Sequence, residues 1–406
     1  MNKIFDITII GGGIIGTAVA LSILKEKNVA LLLLEAEPSL AAHQTGNNSG
    51  VIHSGLYYKP GSLKAINCAT GREMLYSFCK ENNIPFDRCG KIIVAVNKEE
   101  ITALNLLEER GKANGLIGIK RLSAEEIKKF EPHATGIDGL YVPQTGIVDY
   151  IAVTNKYAEL IRNNGGEIKT NSRLSSVKND GEKLILLTAD EEYKTKFVVN
   201  CAGLQSDRIA KLFGVDPKLQ IIPFRGEYFK LKNEKEYLVK NLIYPVPDPR
   251  FPFLGVHFTR MINGGVEAGP NAVLAFKREG YKKTDLSFRD VVEMKLYPGF
   301  WKMAAKYYKM GFQEFRRSFS KELFVKSLQK LIPEIQVDDI EVGGAGVRAQ
   351  ALERDGKLVD DFRIVEAERM VHVLNAPSPA ATASLSIGKT ISEMVIKKFS
   401  NEVKKL

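Results

Sequence analysis

The sequence predicts an α/β protein in which a parallel nucleotide-binding sheet is interrupted by a second, mixed domain of β-sheet and helices. Three observations predict it. An apolar run over residues 7–10 feeds directly into Gly11-Gly12-Gly13-Ile14-Ile15-Gly16 and a long, Ala-containing apolar segment, the order strand, glycine turn, helix. A second β-type run over 29–34 ends at Glu35. Buried-strand signals return at 197–200 and beyond 343, and the alternation between them does not continue a parallel pattern, so the first domain is assembled from discontinuous pieces.

The glycine turn has the geometry a dinucleotide phosphate needs. Gly11 permits the tight turn, Gly13 lets the backbone approach a pyrophosphate, and Gly16 lets the helix pack close to the strand, while the helix N-terminus offers unpaired N–H groups to the anion. Glu35 stands where a carboxylate accepts the adenosine ribose hydroxyls and disfavours a 2′-phosphate. Together they predict a Rossmann-type domain holding an adenine dinucleotide.

The remaining elements follow in order. A polar, Gly-rich loop over 43–58 is too long and too rich in hydrogen-bonding groups for a linker. Helix is expected over 62–82, strand over 90–96, helices over 101–114 and 123–130, a short strand over 139–142 and a helix over 150–164. Segments 167–174 and 183–187 read as hairpin or meander strands, and the strand at 197–200 as rejoining the first sheet. Residues 221–275 are β-rich and carry Pro245, Pro247, Pro249 and Pro252. Residues 287–330 read as helical and basic, and 388–398 as a closing helix. The expected division is 1–85, 145–215 and 340–406 for the nucleotide domain, and 86–144 with 216–339 for the substrate domain. No repeat or low-complexity tract is evident.

With 406 residues and a hydrophobic fraction of 44%, the chain has enough apolar material for sizeable cores. Strand signal by Ile4 leaves no room for a secretory leader, and no apolar run reaches the length of a membrane span. The four cysteines, Cys68, Cys79, Cys89 and Cys201, show no metal-type clustering, so reduced thiols in a cytoplasmic protein and no metal site are expected. The net charge of +10 suits an anionic substrate or an acidic membrane surface. No motif supports nucleic-acid binding.

The loop His43-Gln44-Thr45-Gly46-Asn47-Asn48-Ser49-Gly50-Val51-Ile52-His53-Ser54-Gly55-Leu56-Tyr57-Tyr58 resembles that of the amino-acid-oxidase-like group of FAD oxidoreductases, most closely the L-2-hydroxyglutarate dehydrogenases or oxidases. The likeness recurs in Phe224-Arg225-Gly226-Glu227-Tyr228-Phe229, in Ile243-Tyr244-Pro245-Val246-Pro247-Asp248-Pro249 and in Phe253-Leu254-Gly255-Val256-His257-Phe258-Thr259-Arg260. It continues through the block from Gly269 to Glu279, Gly346-Val347-Arg348-Ala349-Gln350, and Asn375-Ala376-Pro377-Ser378-Pro379-Ala380-Ala381-Thr382. Residues 287–330 carry no signature of the group.

The resemblance implies FAD as cofactor and hydride transfer from a small dicarboxylic 2-hydroxy acid. Such an enzyme must clamp a carboxylate, accept the hydroxyl proton and exclude water. Arg348, in the G-x-R position, implies the carboxylate clamp, its planar fork suiting bidentate binding. His53 and His257 are the candidate proton acceptors. His257 is favoured because it lies in the β-rich region expected to roof the substrate, though either histidine can instead be a hydrogen-bonded structural one. Arg260, Lys277 and Arg278 compete for the distal carboxylate, with Arg260 and Lys277 ranked ahead. Expected flavin contacts are Gly11, Gly13, Gly16, Glu35, Thr45, Asn48, Ser49, Ala202, Gly203, Ser378 and Ala380, with His43 near them. His133 and His372 have no such context.

Residues 277–330 hold 14 Lys or Arg against 6 Asp or Glu, with aromatics interleaved, a composition suited either to a solvated basic face or to an anionic lipid surface. A membrane-facing enzyme would pass electrons to quinone and an oxidase would pass them to oxygen. Peripheral attachment at the inner face of the membrane is the corresponding location. The rival enzymes of the same fold are a glycerol-3-phosphate dehydrogenase and an amino-acid oxidase. The rival of another class is a non-catalytic flavoprotein subunit that relays electrons or binds tRNA, which would not need Arg348, His53 and His257 together.

Overall fold

The computed structural model describes residues 3–248 and 254–403; Pro249, Pro252 and Phe253, which belong to the sequence blocks above, lie outside the described residues. The first sheet has eight strands. Ile4–Ile10 pairs in parallel with Leu31–Leu34 on one side and Glu192–Asn200 on the other, and Leu31–Leu34 pairs in parallel with Glu167–Lys169. Strand Glu192–Asn200 forks, its first half taking the antiparallel Leu184–Leu187 and its end the parallel Met370–Asn375. Side chains sort by alternation. Leu31, Leu33, Phe197 and Val199 face the core under helices Ile14–Glu26, Tyr150–Asn163 and Ser384–Val403, whereas Leu32, Leu34 and Val198 face a second core with Leu184 and Leu186. Covering both faces is why the run 31–34 is continuously apolar.

The second sheet has nine strands. Leu219–Leu231 and Ile340–Glu353 run antiparallel over their whole lengths, from Leu219 opposite Glu353 to Leu231 opposite Ile340, with a bulge between Glu227 and Phe229. Lys91–Ala95 lies between the parallel Leu242–Pro245 and the antiparallel Asp138–Val142. A three-stranded sheet of Val51–Ile52, Gly146–Val148 and Phe86–Asp87 bridges the segments around it.

Three expectations are corrected. Residues 340–353, assigned from sequence to the first domain, form a strand of the second sheet, because their partner over the full length is 219–231. Glu167–Lys169 is an edge strand of the parallel sheet, and the hairpin partner of Leu184–Leu187 is Ser176–Asn179. The closing helix spans Ser384–Val403, longer than 388–398.

The basic stretch folds as helices Phe288–Leu296, Pro298–Phe319 and Lys321–Leu328. Ser287 accepts the Asp290 N–H at 3.3 Å and Ser320 the Leu323 N–H at 3.2 Å, so the outer two helices are capped by hydroxyls. Pro298 opens the middle one, where a missing N–H leaves no bond unmade. Phe300 and Met303 pack inward on Ile222 and Leu352, and Ser318 donates at 2.6 Å to the buried Glu227 of the second sheet. The outward side leaves Trp301, Tyr308, Phe312 and Phe319 exposed.

A buried ion pair fastens the two domains. The Arg278 guanidinium, 3% exposed, pairs with both oxygens of Asp207, 0% exposed, and donates to the Leu204 carbonyl at 2.8 Å; Asp207 also accepts the Ile221 N–H at 3.1 Å. With the fork and the carboxylate both satisfied, the pair avoids the penalty of an uncompensated buried charge.

Candidate active site

A cavity of about 1620 Å³ runs from the glycine turn of the first sheet to the second sheet. Gly11 takes φ +111°, open to glycine at little cost, and a Cβ there would fall 2.4 Å from the Cys201 carbonyl oxygen. A Cβ on Gly16 would fall 2.0 Å from the Gly11 carbonyl oxygen, so helix and strand touch through this residue, which does not itself line the cavity. Gly13 differs: its Cβ would meet only Thr45 Oγ1, at 3.3 Å, on the cavity wall. The chain thus places only one atom against Gly13, and the backbone there is otherwise open to whatever occupies the cavity.

Glu35 reaches back under the turn, its carboxylate accepting the Gly12 N–H at 2.6 Å and the Glu37 N–H at 2.8 Å. Thr45 Oγ1 accepts the Ile14 N–H at 3.0 Å, tying the 43–58 loop to the helix N-terminus. Asn48 folds the loop on itself, donating to the carbonyls of Gln44 and Thr45 and accepting the Gly50 N–H at 2.8 Å. Glu35, Thr45, Asn48, Ser49, Ala202 and Gly203 all line the cavity, as do Ser378 and Ala380 across from them.

The inner part of the loop is held from two sides. The His53 N–H donates to Thr382 Oγ1 at 3.0 Å; Thr382 bonds the Tyr150 hydroxyl at 3.0 Å, and that hydroxyl donates to the Val51 carbonyl at 3.0 Å. The set closes when Thr382 donates to Tyr150, which leaves every hydrogen placed. Segments 51–53, 150 and 382, remote in sequence, thereby converge. The Cys68 thiol donates to the His53 carbonyl at 3.3 Å from below.

His53, His257 and Arg348 line one end of the cavity. Arg348 stands opposite Phe224 on the long antiparallel ladder; its side chain opens onto the cavity yet lies deep within the protein, and burial lowers its pKa against the raising effect of Tyr228 and Tyr58. His257 hydrogen-bonds the Gly255 carbonyl through Nδ1 at 2.9 Å and stacks on Tyr244 with ring centres 3.9 Å apart. A carbonyl can only accept, so Nδ1 carries the proton and Nε2 is the acceptor of the neutral ring. Burial pushes His257 down to about 4 despite the Gly255 bond, with the charge of Lys91 pushing the same way. His53 is pushed down to about 3 by burial, then by Lys91, His257 and Arg348. The end of the cavity is thus positive while its histidines are neutral.

The structure does not bring all the candidates together. Arg260 lies outside the cavity lining, its guanidinium paired with Asp87, and is withdrawn as a ligand for a distal carboxylate. Arg278 reaches the cavity wall, but its guanidinium is committed to Asp207. Lys277 lines the cavity and remains a candidate. His43 bonds Tyr281 through Nδ1 at 3.0 Å and, with Glu37 and Glu279, brings three possible ligand atoms within 4.8 Å, but Arg173 pairs with both acids. His133 pairs with Glu334. His372 takes an amide N–H from Asn200 at 3.1 Å between strands, a structural role, and burial lowers it to about 4. Sequence reasoning missed Lys91, Tyr228 and Tyr244. A lysine ahead of Ile92-Ile93-Val94-Ala95 reads as the solvated end of a strand, and no local signal says that it is buried.

The pattern of the FAD dependent oxidoreductase family matches residues 6–394. The chain is 55% identical to the L-2-hydroxyglutarate dehydrogenase of Indibacter alkaliphilus, over 97% of this chain and 100% of that one. It is 47% identical to the mitochondrial L-2-hydroxyglutarate dehydrogenase of Homo sapiens, over 97% and 89%. Among solved structures it resembles the L-alpha-glycerophosphate oxidase of Mycoplasma pneumoniae with FAD bound, with a TM-score of 0.79, 24% identity and coverage of 97% and 95%. The glycine oxidase of Geobacillus kaustophilus follows at a TM-score of 0.70 and 15% identity, covering 97% and 95%. At those identities the two structures speak for the fold alone.

The three buried histidines set a pH dependence. Each has its folded value held below the ordinary 6.5, so between pH 6.5 and about 4 the unfolded chain binds protons that the folded chain does not. Stability is then complete above pH 6.5 and falls with acidification, by up to about 1.4 kcal/mol per pH unit for each histidine. Urea unfolding at pH 7, 6 and 5 should show the decline, and His372→Gln should remove about a third of the slope by this same linkage. A stability constant from pH 7 to 5 contradicts the neutral assignment.

Proposed function

As the chain belongs to the FAD dependent oxidoreductase family, whose members are FAD enzymes, we propose that it oxidises L-2-hydroxyglutarate to 2-oxoglutarate and passes the electrons to a quinone at an anionic membrane surface. The curated relatives named for that substrate support the reading. The observation that carries it is the positive end of the cavity, where Arg348 and the neutral His53 and His257 meet within reach of the charge of Lys91. Such a field favours an anionic ligand, and a dicarboxylate is one.

The residues fit the cofactor. Gly13 leaves room only on the cavity side, Glu35 stands at the turn, and the cavity is continuous from there to Arg348. FAD, when bound, supplies the two-electron acceptor. In this reading Arg348 holds the carboxylate next to the carbinol carbon, its fork fixing the plane of the acid. His257 Nε2 accepts the hydroxyl proton, its Nδ1–H anchored on Gly255 so that the ring cannot turn away. Tyr244, stacked on His257, and Tyr58, meeting Ser378, wall the site and exclude water. Lys277 is the candidate left for the distal carboxylate. Glycine lacks the second acid group and glycerol 3-phosphate lacks the carboxylate next to the carbinol carbon, so the substrate panel discriminates the rivals.

The membrane part of the proposal rests on the middle helix of the basic stretch. Trp301, Tyr308, Phe312 and Phe319 are 57%, 64%, 65% and 75% exposed, with Lys302, Lys306, Lys309, Arg316 and Arg317 on the same helix. Exposed aromatics among cations suit an anionic lipid surface. Among the described residues no helix is long and apolar enough to cross a membrane.

Anaerobic mixing of the FAD-loaded protein with L-2-hydroxyglutarate should bleach the flavin absorbance, while its D-enantiomer, glycerol 3-phosphate and glycine should not. Equal bleaching by both enantiomers, or bleaching by glycine or glycerol 3-phosphate instead, removes the substrate assignment. His257→Gln should keep its flavin and slow the reductive step roughly 100-fold, the usual worth of a general base, and should lose the acid limb that wild type shows below the ordinary histidine range. His53→Gln should retain that limb; if the two variants exchange these behaviours, His53 is the base. Co-sedimentation with vesicles containing phosphatidylglycerol should exceed that with phosphatidylcholine vesicles and fall in Trp301→Ser/Phe312→Ser. Equal, unaltered sedimentation leaves the basic face as a solvated one.

A further inference from the structure

Lys91 opens the strand Lys91–Ala95, yet its side chain is only 1% exposed. Its Nζ lies 4.3 Å from the centre of the Tyr57 ring and 4.8 Å from that of Tyr244. Among the described residues no carboxylate pairs with it. Tyr244 also stacks on His257 at 3.9 Å with the planes 22° apart, and His257 is tethered to Gly255. Ammonium, phenol ring and imidazole are thus in contact in series, and both rings line the cavity. A cation over a ring face is attracted by the ring quadrupole, and with two rings the ammonium orients both.

We propose that Lys91 is a positioning residue for the reductive step: its ammonium clamps Tyr57 and Tyr244, through Tyr244 fixes the plane of the His257 ring, and by its charge keeps His257 and His53 free to accept a proton. The inference rests on the reading of His257 as proton acceptor. The groups facing the stack are consistent with it. His53 meets Lys91, His257 and Arg348, all of one sign, and His257 meets Lys91 and the Gly255 carbonyl. Lys91 itself faces Tyr57, Tyr244 and the Cys68 thiol, and burial brings it down to about 7. Its charge is therefore complete in the acidic range, where the histidines would otherwise begin to protonate, and fades above neutrality. A lysine placed only for packing would not act on both rings in this pH-dependent way.

The chain has only five histidines, so their ring carbons can be followed individually by NMR in the FAD-loaded protein labelled at histidine, with His53→Gln and His257→Gln giving the assignments. Lys91→Met keeps the stem and removes the charge. In it the titration midpoints of His53 and His257 should rise by about one pH unit, the size expected for a unit charge removed from a partly buried site, while His43 and His133 stay in place. Lys91→Arg should restore the wild-type midpoints. The acid limb of the reductive rate should move upward with them at unchanged flavin content. Unmoved midpoints in a flavin-loaded Lys91→Met overturn the proposal. Should that variant not fold, wild type decides alone: its His257 signal should show a second inflection near neutral pH as Lys91 loses its charge, and a flat signal from pH 6 to 9 overturns the proposal. The titrations use no substrate, so failure of L-2-hydroxyglutarate to reduce the wild-type flavin removes the substrate assignment and leaves this result standing.

Discussion

The antiparallel ladder between Leu219–Leu231 and Ile340–Glu353 is the interaction on which the site depends. It carries Arg348 to the cavity from the second sheet, and the same chain then continues into Arg363–Ala367 and Met370–Asn375, which belong to the first. A Cβ on Gly346 would fall 2.3 Å from the Asn47 carbonyl oxygen, so the ladder is seated directly on the loop that follows the glycine turn. Any slip in register by one residue would turn Arg348 to the opposite face. The buried pair of Arg278 with Asp207 locks the two domains on another side.

Charge in the cavity is arranged by burial as much as by sequence. Two histidines, an arginine and a lysine gather at one end; desolvation and mutual repulsion keep the imidazoles neutral, and the bond that orients His257 is to a backbone carbonyl. The Gly255 carbonyl does for His257 what a carboxylate does in many proton-accepting histidines, fixing the tautomer without adding negative charge. A carboxylate there would oppose an anionic ligand. A neutral peptide oxygen leaves the positive field intact.

Much of this was legible in the sequence where the signal is local. The glycine turn, its preceding strand and Glu35 are contiguous or nearly so, and each glycine answers to a definite steric demand, as the contacts at Gly11 and Gly16 bear out. The helices expected from 62, 123 and 287 do begin there, each behind a capping serine, whereas the break at Ser320 that opens a further helix was not read. Membership of 340–353 in the second sheet was not legible, because a β-type run does not name its partner and the partner lies more than a hundred residues away. Lys91 and Arg260 are opposite failures of one rule. A lysine at a strand end reads as solvated but is buried under two rings, and an arginine in a suggestive block is paired at the surface with Asp87. Charge on a residue is visible in sequence, whereas its surroundings are a product of the fold.

The way the first sheet is put together bears on how the chain must be made. Ile4–Ile10 takes its neighbours from residues 31–34 and 192–200, and the sheet closes only with 370–375. Helix Ile14–Glu26 is covered by Ile387, Ile391, Val395 and Phe399, from the last helix of the chain, so closely that a Cβ on Gly388 would lie 2.8 Å from the Ala18 backbone. During vectorial synthesis the part of that first helix that packs on residues 384–403 therefore lacks its native cover until those residues are made, although helix Tyr150–Asn163 covers the rest earlier. Non-local parallel pairing is also slow once the parts are present. Until residues 384–403 arrive, a nascent chain leaves part of that helix's hydrophobic side open, a surface of the kind that chaperones cover.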